Sequence, residues 1–303
     1  MIRSGNGMRR RSIGLGIGAL LGSLATACSP LTTFDRLVPK DRGGTLIAKG
    51  LAYGSSPRQR LDVYAPRGGC GKPRPVVVFF YGGSWNSGTR GGYAFVGRAL
   101  AAQGFVTVVP DYRLVPDVRY PAFVEDGAAA VRWASSNASN YCGDGQSVVL
   151  MGHSAGAYIG AMLAVDPRWL GETRSVVRGF VGLAGPYDFA PFDVDASRAA
   201  FGQVADPAET QPVTWAGTGD PPALLLYGTE DSVVRPRNSE ALAAKLRAGG
   251  VAVEQRAYPK LGHVGILLAL ARPFRGRGPV LADVAGFIRS RVEVDDADRR
   301  RDR

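Results

Sequence analysis

A serine sits between two glycines in Gly152-His153-Ser154-Ala155-Gly156, directly after the apolar run Val148-Val149-Leu150-Met151. A G-x-S-x-G turn joining a buried strand to a helix holds its serine clear of the backbone, where the hydroxyl can attack a carbonyl carbon. The glycines suit that turn because a chain folding back so sharply leaves no room for Cβ atoms. The amide of Ala155 and the N-terminus of the helix would then face the oxygen that gains charge during acyl transfer. Five residues alone also allow an ordinary strand-helix turn with a capping serine, so the rest of the chain must supply the context.

A serine nucleophile of this type needs a general base, and the chain holds only 2 histidines. His153 lies inside the turn, so its side chain is expected to point away from Ser154. His263 remains, in the glycine-flanked loop Lys260-Leu261-Gly262-His263-Val264-Gly265. Where such an elbow carries a triad, the acid falls between serine and histidine in chain order. Asp231, a short turn beyond Ala223-Leu224-Leu225-Leu226-Tyr227-Gly228, fits best, with Glu230 and Asp188 in reserve.

The elements that must position these residues alternate. Residues 45–53 and 60–64 read as an opening hairpin, and Val76-Val77-Val78-Phe79-Phe80 as a strand buried on both faces. That strand ends in Tyr81-Gly82-Gly83-Ser84-Trp85, whose small residues let backbone amides approach a ligand. Helix is expected over 93–103, strand over 105–109, helix beyond Pro121, and strand over 179–184. Glu125 and Asp126 fall in the first turn of the second helix, where carboxylates suit the dipole. A tract of Pro, Asp and Gly running to Pro222 has no clear periodicity and reads as a lid or pocket wall. Strand 223–227, helix 239–248, strand 251–258 and helix 280–291 complete a mostly parallel α/β sheet, with Ser154, Asp231 and His263 all at strand C-termini.

With 303 residues, 45% of them hydrophobic, the chain is long enough for one large domain. Arg9-Arg10-Arg11, an apolar stretch over 13–21 and Ala25-Thr26-Ala27-Cys28 have the basic, apolar and small-residue order of an export signal. The end of that stretch resembles a bacterial lipoprotein box with Cys28 as the lipidated residue, although Ala25 stands where leucine is usual. The expected divisions are a signal over 1–27, a linker over 28–44, a catalytic domain over 45–291 and a charged tail over 292–303. Of the net charge of +11, Arg3, Arg9, Arg10 and Arg11 belong to the signal. No basic stripe interleaved with aromatics and no C-x-x-C or H-x-x-x-H cluster is present, so neither nucleic acid nor metal is expected as a partner.

The loop Tyr81-Gly82-Gly83-Ser84-Trp85, the segment Asp111-Tyr112-Arg113-Leu114, the serine elbow, Asp231 and Leu261-Gly262-His263 together resemble the α/β-hydrolase superfamily. The closest likeness is to its esterase branch with an H-G-G-x-W loop, which includes carboxylesterases, hormone-sensitive-lipase-like enzymes and kynurenine formamidases. The resemblance covers roughly residues 45–290 and implies a three-layer fold with a mostly parallel eight-stranded sheet. It also implies Ser154 as nucleophile, His263 as base and Asp231 as its orienting acid, with the amides of Gly83, Ser84 and Ala155 as oxyanion hole. Tyr81 replaces the loop's usual leading histidine. In this family the strands that begin near Val76 and Val148 are neighbours, so Cys70 and Cys142, each six residues before one of them, are expected to form a disulfide. The implied activity is hydrolysis of small or medium carboxylic esters through an acyl-enzyme, without cofactor. An amidase or arylformamidase, and a catalytically silent binding protein on the same fold, are the alternatives.

Overall fold

The computed structural model describes residues 30–301; the segment 1–27 expected to be a signal, and Cys28, lie outside the described residues. Eight strands form one sheet: β1 (Gly44–Ala52), β2 (Arg60–Pro66), β3 (Arg74–Phe80), β4 (Val106–Pro110), β5 (Gly143–His153), β6 (Val177–Leu183), β7 (Ala223–Gly228) and β8 (Val253–Tyr258). Their order is β1-β2-β4-β3-β5-β6-β7-β8, antiparallel where β2 meets β1 and β4 and parallel from β4 to β8. The continuous apolar runs occupy the middle, where helices cover both faces, and β8 closes the edge with a half-exposed, polar pattern.

The covering helices are α2 (Ala94–Ala102), α3 (Ala122–Asn137), α4 (Ala155–Val165), α8 (Arg237–Ala248) and α10 (Val280–Arg301). All of α4 is buried, and its contacts explain its small residues: a Cβ on Gly160 would lie 3.0 Å from the Phe180 ring. Short helices α5 (Pro167–Leu170), α6 (Asp195–Phe201), α7 (Pro212–Trp215) and α9 (His263–Leu268) sit in the connections. The tract read as a lid is thus partly helical.

Two boundaries differ from the sequence reading. Within the expected linker, Pro30–Leu37 forms helix α1, because Leu31, Phe34 and Val38 share one face and pack on the core. The ring of Phe34 meets Phe95 at 5.4 Å and Phe274 at 5.9 Å, and Asp35 accepts the amide of Phe95 at 2.7 Å, at the start of α2. The helix expected to stop at Arg291 continues to Arg301, through most of the segment read as a tail.

Cys70 and Cys142 are joined by a disulfide with Cα atoms 5.1 Å apart. The bond lies at the N-terminal ends of β3 and β5, where the amide of Arg74 also donates to the Cys142 carbonyl at 3.0 Å. Among the described residues no helix is long and apolar enough to cross a membrane.

Candidate active site

Ser154 connects β5 to α4 with φ 54° and ψ −125°, a region unfavourable for a residue with a Cβ. The strain is held from both sides, since its amide donates to the Leu183 carbonyl at 2.9 Å and its carbonyl accepts from Tyr158 at 3.1 Å. The flanking glycines are required by contact. A Cβ on Gly152 would lie 2.3 Å from the Gly156 carbonyl oxygen, and one on Gly156 would lie 2.1 Å from that of Phe80. Sequence spacing therefore identified a real elbow, and the neighbouring strand β3 explains its second glycine.

Ser154 Oγ lies 2.8 Å from His263 Nε2, and His263 Nδ1 lies 2.9 Å from Asp231 Oδ2. The acid and the base come from adjacent strands whose following loops dock together: Thr229 donates to Tyr258 and Glu230 to Leu261, both at 3.0 Å. That approach leaves no space for a side chain at Gly228, whose Cβ would lie 2.0 Å from the Leu261 carbonyl oxygen. Asp231 Oδ1 accepts the amides of Val233 and Val234 at 2.9 and 2.8 Å. Burial alone would raise the Asp231 carboxyl, but the hydrogen bond and charge of His263 and those two amides outweigh it and hold it below its ordinary range. Asp231 therefore stays an anion facing the imidazole. Glu230 and Asp188, the reserve acids, are both exposed, and it is Asp231 that His263 engages.

His153 is a residue whose part sequence reasoning missed. Its ring does not contact the serine; it lies under the base, 4.9 Å from the His263 ring, with Nε2 2.9 Å from the His263 carbonyl oxygen. Burial, then the charge of His263, pushes the imidazole down to about 3, so it is neutral and donates from Nε2. Its Nδ1 is buried without a partner.

Ser84 and Ala155 line the cavity that contains Ser154, with Gly83 one residue earlier in the loop. Gly83, Ser84 and Trp85 all have positive φ, at 134°, 51° and 58°, so three successive peptides are turned into unusual orientations. The Gly83 carbonyl accepts the amides of Asn86 and Ser87 and the Ser87 hydroxyl, each at 3.0 Å. Trp85 anchors the far side, its buried ring edge-on to Phe201 at 4.9 Å and to Tyr158 at 5.5 Å.

Tyr81, which replaces the expected histidine, supports this loop from beneath. Its ring is stacked between Tyr93 at 5.0 Å and Tyr112 at 4.8 Å. Its hydroxyl donates to Asp111 Oδ1 at 2.9 Å and accepts from Arg58 Nη2 at 3.0 Å. Arg58 also donates to the Gly88 carbonyl at 2.9 Å, and the hydroxyls of Tyr93 and Tyr112 donate to the carbonyls of Gly82 and Tyr81. Asp126, expected only to suit a helix dipole, is buried and accepts the amide of Arg113 at 2.7 Å together with its guanidinium.

The cavity has a volume of about 310 Å³, and its lining includes Trp85, Phe189 and Val194 together with residues 232–235, Arg237 and Asn238. No group of three or more His, Cys, Asp or Glu is placed to hold a metal ion among the described residues.

The chain as a whole is similar to several known proteins. The BD-FAE family model matches residues 61–246. Esterase LipC of Mycobacterium tuberculosis is 32% identical over 261 residues, covering 78% of this chain, which spans 63% of that protein's length. Carboxylesterase NlhH of the same organism is 31% identical over 229 residues, covering 66% of this chain and 69% of its own. The solved Esterase B of Lactobacillus rhamnosis, in a phosphonate-inhibited form, superposes with a TM-score of 0.78 at 20% identity, covering 89% of this chain and 93% of its own. That likeness carries the fold: a three-layer α/β-hydrolase architecture.

Proposed function

The chain belongs to the BD-FAE family, and on that premise we propose that it is a serine hydrolase of small carboxylic esters. The observation that carries this reading is the pair of contacts, 2.8 and 2.9 Å, that link an elbow serine through His263 to a buried carboxylate beside a cavity. Ser154 Oγ attacks the ester carbonyl while His263 Nε2 takes its proton. The amides of Ala155 and of the loop at Gly83 and Ser84 receive the oxyanion, and Asp231 stabilises the imidazolium. His263 then protonates the departing alkoxide, leaving an acyl-Ser154 ester, and a water deprotonated by the same imidazole releases the acid. The relatives named as esterases support the choice of ester over amide.

A fluorophosphonate probe tests the reading. The wild type should be labelled and Ser154→Ala should not, with kcat on 4-nitrophenyl butyrate lowered roughly 10³-fold or more in Ser154→Ala and His263→Ala. An unlabelled, inactive wild type would mean a silent binding protein on the same fold.

The N-terminal pattern supports export, with residues 1–27 as signal and Cys28 as the first residue of a mature, lipid-anchored protein. Intact mass of the protein recovered from the envelope fraction should begin at a lipidated Cys28. A soluble chain retaining residues 1–27 would refute export.

A further inference from the structure

The walls of the cavity beside Ser154 carry charge that ester hydrolysis does not use. Arg235 and Arg237 both line it, both are exposed, and neither guanidinium has a hydrogen-bond or ion-pair partner among the described residues, the Arg235 carbonyl alone accepting from Asn238. Other arginines near the site are held: Arg58 by the carbonyls of Tyr112 and Gly88, Arg90 by Asp62 and Asp111, and Arg113 by Asp126. The two free ones flank the start of α8, a twelve-residue helix whose end has no side-chain cap. The positive end of its dipole faces the side of the cavity where Arg237 and Asn238 lie. One exposed carboxylate, Asp193, lines the same cavity without pairing to either arginine, so the wall keeps an excess of positive charge.

In a partly enclosed cavity, less water screens a guanidinium than on an open surface, and its planar fork matches the two oxygens of a carboxylate. Ser154 and both arginines line one cavity of about 310 Å³, so an anionic group touching Arg235 or Arg237 can belong to the same small substrate whose ester carbonyl sits at Ser154. We infer that the site selects esters carrying a carboxylate close to the scissile bond, with Arg235 and Arg237 as the residues that hold it. This rests on the reading of Ser154 as nucleophile and adds a substrate class to it.

Two matched pairs test the inference, one with the charge on the acyl side and one with it on the alcohol side. The first compares 4-nitrophenyl hydrogen adipate with 4-nitrophenyl hexanoate; the second compares 3-carboxyphenyl butyrate with phenyl butyrate. The readout is the anionic-to-neutral ratio of kcat/KM after subtraction of spontaneous hydrolysis. In at least one pair that ratio should fall roughly tenfold or more in the Arg235→Gln/Arg237→Gln double variant, and less in each single variant. In the wild type the same ratio should narrow on going from low salt to about 0.5 M NaCl. Ratios equal in wild type and double variant for both pairs would overturn the inference. Hydrolysis of the neutral esters by the wild type reports on Ser154 separately, so failure of this inference and failure of the serine reading give different results.

Discussion

Beneath the proposed base, His153 bonds the His263 carbonyl at 2.9 Å while its ring packs against the His263 ring, so the base's backbone and side chain rest on one neighbour. His153→Phe keeps an aromatic ring there and removes the hydrogen bond. Near neutral pH we expect a loss of about 1 kcal/mol in stability and up to about tenfold in kcat. The pH dependence gives a second readout. The folded imidazole is held at about 3 against 6.5 for an ordinary histidine, so between these values the unfolded chain binds a proton that the folded chain excludes. Stability contributed by the neutral ring is therefore complete above pH 6.5 and lost as pH falls toward 3, by at most about 1.4 kcal/mol per unit. Asp231, also depressed, acts in the same direction at lower pH and is common to both proteins. Denaturant unfolding at pH 7 and pH 5 should show a shallower acid loss in His153→Phe; equal losses would contradict a buried neutral His153.

Among the elements, the loop over 81–88 depends most on packing from elsewhere in the chain. Burial, then the charge of Asp111, raises the Tyr81 phenol well above its ordinary value, so it remains a neutral donor. Tyr81→Phe removes one donor to Asp111, which keeps the amide of Arg90, and one acceptor for Arg58, which keeps the Gly88 carbonyl. The expected cost is roughly 0.5 to 1.5 kcal/mol in stability and no more than about tenfold in kcat. Tyr81→Ala also removes the ring stacked between Tyr93 and Tyr112, and should cost about 3 to 5 kcal/mol. Thermal melts and kcat on both variants check this. A kcat loss for Tyr81→Phe as large as that of Ser154→Ala would assign the phenol a direct part in the reaction.

Across the whole molecule, the sheet separates its staple from its chemistry. The Cys70–Cys142 bond holds the N-terminal ends of β3 and β5, while Ser154 follows the C-terminal end of β5. Reduction should lower stability by about 2 to 4 kcal/mol by freeing the unfolded chain across a sequence separation of 72. At temperatures well below the melt, kcat of the reduced protein should match that of the oxidised one, because the elbow is held by Leu183, Tyr158 and the backbone of β3. A marked kcat loss in reduced but still folded protein would show that the two ends of the sheet are coupled.

Local features of the sequence were enough for the strands and the elbow, because an apolar run and a glycine pair act over a few neighbouring residues. With only 2 histidines, the choice of base followed by elimination. The acid did not follow in this way. Glu230, Asp231 and Asp188 all lie between serine and histidine in chain order, and only the docking of the loops after β7 and β8 brings Asp231 to Nδ1. Helix α1 was hidden for a similar reason: eight residues have little helical stability of their own, and the segment is ordered by Phe34 meeting Phe95 and Phe274, which no local pattern reveals. The same holds for His153, placed under the base by the fold, and for Arg58, which reaches Tyr81 and Gly88 from the turn of the opening hairpin. The sequence by itself determined which side chains could carry a serine-based reaction and the order of the elements that bear them. Only the tertiary structure decided which of those side chains meet, because contacts between residues distant in the chain depend on strand order and loop docking rather than on spacing.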